Sequence, residues 1–120
     1  MASKNTSKNA SKNTAKGLWA EQVVRQYLEK KSHQLMAQRY QIQGIEIDLV
    51  FKKDHDWLLV EVKFLDNIWR AGERVSQKQI QRLKKIESYL KFNKKIKQIL
   101  FLIALVEENK TIHWINLTDY

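Results

Sequence analysis

The chain reads as a mixed α/β fold, helices laid on a sheet, with the element order α-β-β-β-α-β-β. Three observations predict it. Two segments carry apolar residues at helical spacing, several short segments alternate apolar and polar residues, and Ile99 to Val106 is an unbroken apolar run. That run is too short for a helix through a bilayer, which needs ~20 residues, and suits a strand covered on both faces.

Each element has its own justification. Gly17 to Lys31 is expected to be helical, because Ala20, Val24, Tyr27 and Leu28 share one stripe while Arg25, Gln26, Glu29 and Lys30 face outward. Gln34 to Ile42 holds a short strand, and Gln43-Gly44 marks a turn. Ile45 to Lys53 alternates, with Ile45, Ile47, Leu49 and Phe51 expected on one face and Glu46, Asp48, Val50 and Lys52 on the other. Asp54-His55-Asp56 is a turn cluster before a second alternating strand, Trp57 to Leu65. Residues 66–74 form a loop. Ser76 followed by Gln79 has the form of a capping box, opening a helix through Ile80, Leu83, Ile86 and Leu90. Lys97 to Val106 is the central strand, Glu108-Asn109-Lys110 a turn, and Thr111 to Leu117 the last strand.

Residues 1–16 stand apart. They repeat Ser-Lys-Asn three times and contain no large apolar residue after Met1, so they cannot bury enough surface to offset their ordering entropy. They are expected to be a disordered basic tail, leaving residues 17–120 as the folded domain. The tail either adds phosphate contacts or merely solubilises the chain.

The formal net charge of +9 points to a polyanion as partner. The absence of cysteine excludes a disulfide framework and a thiolate zinc site. No apolar segment is long enough to span a membrane, and none follows the basic start as a secretory signal requires. The expected address is the cytoplasm.

The chemistry lies on the two strands around the Asp54–Asp56 turn. One face of Trp57–Leu65 is wholly apolar, whereas the other sets Glu61 and Lys63 between Trp57, Leu59 and Leu65. Charges flanked in this way are semi-buried, and such charges mark sites more often than solvated surfaces do. If the turn is centred between Asp54 and His55, paired residue numbers sum to 109, so Asp48 faces Glu61 and Glu46 faces Lys63. Two opposed carboxylates ~5 Å apart repel unless a cation lies between them or one is protonated. They suit Mg²⁺ or Mn²⁺, which keep waters in their remaining positions. A neighbouring lysine would stabilise developing negative charge. A purely structural ion-pair ladder is the competing reading of the same residues.

Asp48 followed by Glu61-Val62-Lys63 resembles the PD-(D/E)XK nuclease signature. More closely, the chain is similar to the YraN family of endonuclease-like proteins related to archaeal Holliday-junction resolvases. The resemblance rests on Ala20-Glu21 with Tyr27-Leu28, on Gly44 to Val50, on Val60 to Lys63, and more weakly on Val75 to Leu83 with Tyr89-Leu90. It implies a restriction-endonuclease-like core and Mg²⁺-dependent hydrolysis of DNA. In it Asp48 and Glu61 hold the metal, Lys63 sits beside the attacking water, and Glu21 joins from the first helix. Glu46 and Gln79 are expected to be supporting residues. Resolvase-like members act as dimers on a two-fold junction, so a homodimer is among the expectations. The chain departs from the family pattern at Ile45, where a small residue is usual, at Gln77, where a proline is usual, and at Gln79, where a lysine is usual. The last departure raises the alternative of a nucleic-acid-binding module of the same fold with weak or no turnover. A third possibility is an interaction protein whose charge ladder is structural.

Lys78, Arg82 and Lys85 form a basic stripe on the second helix that can follow a nucleic-acid backbone or simply be solvated. Trp69-Arg70 in the preceding loop can stack on a base or tuck against the core. His33, His55 and His113 have no metal-ligand spacing, and the three glycines form no phosphate-binding loop.

Overall fold

The computed structural model describes residues 14–66, 76–94 and 98–119. The expected tail therefore lies outside the described residues over 1–13, as does the loop segment with Trp69, Arg70 and Gly72. The elements are α1 (Ala15–Lys30), β1 (Gln34–Ile42), β2 (Ile45–Lys53), β3 (Asp56–Phe64), α2 (Gln77–Lys94), β4 (Gln98–Val106), β5 (Ile112–Asn116) and a closing 3-10 turn, Leu117–Asp119. This is the expected order. Helix α1 begins two residues before the expected start, because the Thr14 hydroxyl accepts the Gly17 N–H at 3.1 Å and caps it there.

The five strands form one sheet in sequence order, antiparallel except between β3 and β4. Parallel neighbours need a crossover, and α2 supplies it. It starts where the Ser76 hydroxyl accepts the Gln79 N–H at 3.1 Å. The helices cover opposite faces. Ala20, Val24 and Leu28 of α1 pack with Leu49, Phe51, Leu58, Val60, Val62, Ala104 and Val106. Ile80, Leu83, Ile86 and Leu90 of α2 pack with Ile47, Val50, Leu59, Ile99, Phe101, Ile103 and Leu105. Both faces of β4 are thus buried, as its continuous apolar run requires. Among the described residues no helix is long and apolar enough to cross a membrane.

Both hairpin turns fall where expected. Gln43 and Gly44 have φ of 51° and 75°, the pair of left-handed residues that a two-residue type I′ turn demands. Asp54 opens the second two-residue turn with φ 56°, a conformation aspartate tolerates. The β2–β3 register sums to 109, as read from the sequence, from Lys53↔Asp56 to Leu49↔Val60.

The expected faces of β2 are overturned. Ile45, Ile47, Leu49 and Phe51 do not share a face: Ile45 and Ile47 lie in the α2 layer, Leu49 and Phe51 in the α1 layer. The alternation of β2 breaks between Ile47 and Leu49, at Asp48. Its neighbour β1 breaks at the same level, where Arg39 sits at φ 51° between the pairs Gln38↔Leu49 and Tyr40↔Ile47. A second irregularity separates Leu35 from Ala37. A left-handed conformation costs a non-glycine residue about 1–2 kcal/mol, so the surroundings must hold Arg39 there.

Candidate functional site

The break in β2 equips Asp48. Beyond Leu49↔Val60 no further β2–β3 ladder pair forms among the described residues, so the expected ladder pairing of Asp48 with Glu61 is not present. Instead the Asp48 carboxylate reaches across and accepts the Val62 N–H at 2.8 Å. Asp48 has no solvent-exposed surface. An ionised acceptor makes a stronger hydrogen bond than a carbonyl, which helps offset the cost of placing the carboxylate in the interior. Asp48 is therefore pinned to the middle residue of Glu61-Val62-Lys63.

Glu61 and Lys63 flank that anchor. Strand β3 pairs without interruption along β4, so its alternation is strict. Glu61 and Lys63 consequently share the α2 side with Leu59 and Leu65, while Val60 and Val62 face α1. Their side chains keep only 17% and 26% of their surface exposed, and Lys63 Nζ lies 3.6 Å from Glu61 Oε2. The semi-burial expected from the apolar neighbours is present. The pair is not a solvated surface bridge.

Glu21 and Glu46 belong to a second group, on the α1 side. Glu21 is buried at 8% exposure. It occupies the stripe of Ala20, Val24 and Leu28 because Arg39 of β1 compensates its charge. The guanidinium donates to both carboxylate oxygens, Nη2 to Oε1 at 3.0 Å and Nη1 to Oε2 at 3.3 Å. The same Nη1 lies 3.9 Å from Glu46 Oε2, and Glu46 also accepts from the Gln41 amide at 3.2 Å. Glu46 thus stands beside Arg39 and Gln41 rather than opposite Lys63, contrary to the expected pairing. The break at Asp48 is the physical reason, since it reverses the face of every residue before it. Arg39 of β1 and Asp48 of β2 occupy corresponding positions, each between the residues of the regular pairs Gln38↔Leu49 and Tyr40↔Ile47.

Sequence reading missed Arg39, the residue that joins Glu21 to Glu46. A signal existed nearby: Leu49-Val50-Phe51 is apolar at three consecutive positions, which a one-sided alternating strand does not allow. The helix α2 residues lie apart from these contacts. Lys78 and Lys85 are exposed and Arg82 partly so, on the side away from Ile80, Leu83 and Ile86. The Gln79 side chain is half-buried in the first turn of α2.

Two carboxylates attached to one short segment, Asp48 and Glu61, are hard oxygen donors of the kind Mg²⁺ and Mn²⁺ take. Among the described residues no group of three or more His, Asp or Glu side chains is arranged around a metal position. An ion held by Asp48 and Glu61 would fill its other positions with water and substrate oxygens, the usual habit of Mg²⁺. The residues present fit that role. Of the histidines, His113 contacts Glu107 across the β4–β5 hairpin, away from these residues. Burial first, and the Lys53 charge second, hold His33 below the usual imidazole range.

Comparison with known proteins places the chain, rather than any one residue of it, in a family. The model of the uncharacterised protein family UPF0102 matches residues 20–106. A UPF0102 protein of Shewanella denitrificans is 40% identical over 81 residues, covering 65% of this chain and 75% of the relative. Another, from Prochlorococcus marinus, is 30% identical over 114 residues, covering 87% of this chain and 90% of the relative. A crystal structure of an fdxN element excision controlling factor protein from Anabaena variabilis shares the fold, with a TM-score of 0.52 at 13% identity, over 81% of this chain and 98% of that one.

Proposed function

The chain belongs to the UPF0102 family, and on that premise we propose that it is a metal-dependent endonuclease hydrolysing DNA phosphodiester bonds, with branched DNA among its substrates. The observation that carries this reading is the 2.8 Å bond from the Val62 N–H to the Asp48 carboxylate, which fixes a buried aspartate inside the Glu61-x-Lys63 segment. A structural ion-pair ladder has no need of a fully buried aspartate at a break in the sheet.

Asp48 and Glu61 would hold Mg²⁺ or Mn²⁺. When bound, such an ion supplies Lewis-acid polarisation of a phosphate oxygen and lowers the pKa of a water. Because Asp48 has no exposed surface, an ion reaches it only when the side chains that cover it move aside. The rest of the task falls to the chain itself. Lys63, oriented by Glu61, stabilises the negative charge that develops on the phosphate oxygens and holds the attacking water. Glu21, locked by Arg39, closes the α1 side of the site with a fixed carboxylate. Lys78, Arg82 and Lys85, with the overall charge of +9, attract and align the phosphate backbone. A cytoplasmic address accords with this substrate, and a homodimer would match a two-fold junction.

A panel of labelled single-stranded, duplex, flap and four-way-junction DNA, incubated with Mg²⁺ or Mn²⁺, tests the proposal. Cleavage by the wild type that disappears in Glu61→Gln is the expected result. Salt-sensitive binding with no cleavage in either metal would favour the binding-module reading, which Gln79 motivates, and would make Gln79→Lys the next protein to assay.

A further inference from the structure

We infer that Arg39 is a positioning residue that acts as the site's built-in second cation, holding Glu21 and Glu46 together and limiting the site to a single divalent ion. The inference rests on the proposed nuclease reading and deepens it. Its basis is geometric. One guanidinium nitrogen, Arg39 Nη1, lies 3.3 Å from a Glu21 oxygen and 3.9 Å from a Glu46 oxygen. Two carboxylates converge on that one point, and Glu21 is almost wholly buried there. Without a cation between them the two would repel, and the position of Nη1 would then be a place for another positive charge.

Arg39 is also held in a strained conformation at φ 51°, opposite Asp48, where both strands leave their regular pairing. Strain of this kind persists where surrounding groups over-determine it. Here the buried Glu21 supplies that constraint, and the consequence is a guanidinium fixed in a metal-like position.

Titration of the full chain with Mn²⁺, followed by the electron paramagnetic resonance of the free ion, tests this without reference to cleavage. The wild type is expected to take up about one Mn²⁺ per chain, and Arg39→Met about two. Arg39→Lys, which keeps a positive charge between the carboxylates, should remain at the wild-type stoichiometry. Adding Glu21→Gln to Arg39→Met should restore it. If Arg39→Met does not fold, as judged by circular dichroism, Arg39→Gln retains a donor for Glu21 and carries the same expectation. A folded Arg39→Met or Arg39→Gln protein with unchanged stoichiometry would overturn the inference and leave the nuclease reading standing. No Mn²⁺ uptake by the wild type would overturn both.

Discussion

Replacing Asp48 separates its two roles, because the aspartate both completes the hydrogen bonding of β3 and equips the site. In Asp48→Ala the buried Val62 N–H loses the acceptor 2.8 Å away. An unsatisfied buried donor costs about 1–3 kcal/mol, and the small cavity left behind adds to it, for a total of about 2–4 kcal/mol. Asp48→Asn keeps the shape and an acceptor oxygen, so only the difference between a charge-assisted and a neutral hydrogen bond is lost, about 1 kcal/mol. For a chain of 120 residues, 1 kcal/mol corresponds to roughly 4 °C in Tm. Thermal unfolding followed by circular dichroism should therefore place Asp48→Asn about 4 °C below the wild type and Asp48→Ala about 8–16 °C below it. Both variants should be inactive on DNA. If Asp48→Ala were as stable as Asp48→Asn, the Val62 bond would not be what holds the aspartate. If Asp48→Asn still cleaved DNA, the carboxylate would not be a metal ligand.

Three further outcomes are expected. Changing Lys78, Arg82 and Lys85 together to Gln should lower DNA affinity and reduce the slope of log K against log salt by about 2–3, since each phosphate contact contributes ~0.9; titrations at several salt concentrations measure it. Gly44→Ala should cost about 1 kcal/mol in urea unfolding, because an added Cβ meets nothing within 4 Å while the φ of 75° remains unfavourable for it. The depressed pKa of His33 means that the unfolded chain takes up its proton first as pH falls. Stability should accordingly be intact above the ordinary value of 6.5 and decline as pH drops from there through the lower folded value; His33→Gln should flatten that part of the stability profile.

Much of this architecture follows from patterns visible in the chain. Helical spacing in Ala20, Val24 and Leu28, the Gln43-Gly44 and Asp54-His55 turns, and the apolar run of β4 specify the element order and the hairpin register. The setting of Glu61 and Lys63 between large apolar residues correctly signals their burial. What failed was the assumption that β2 keeps one alternation from end to end. A period of two holds only while the ladder is unbroken, and the ladder breaks at Asp48, where the site is built. For the same reason Glu46 lies beside Arg39 instead of Lys63. Arg39 itself has no motif around it. Its importance comes from a left-handed backbone and a partner, Glu21, that lies 18 residues earlier in the chain. Such a contact belongs to the tertiary fold and has no local signature.

The most direct measurement is the Lys63→Ala protein assayed side by side for DNA binding and for Mg²⁺-dependent cleavage, against the wild type on the same labelled junction. Lys63 touches Glu61 and lies outside the backbone contact that holds Asp48, so the fold and the affinity for DNA should persist. Cleavage by the wild type and its loss in Lys63→Ala at unchanged affinity is the predicted result. Cleavage that continues undiminished in Lys63→Ala would contradict the nuclease mechanism at its centre.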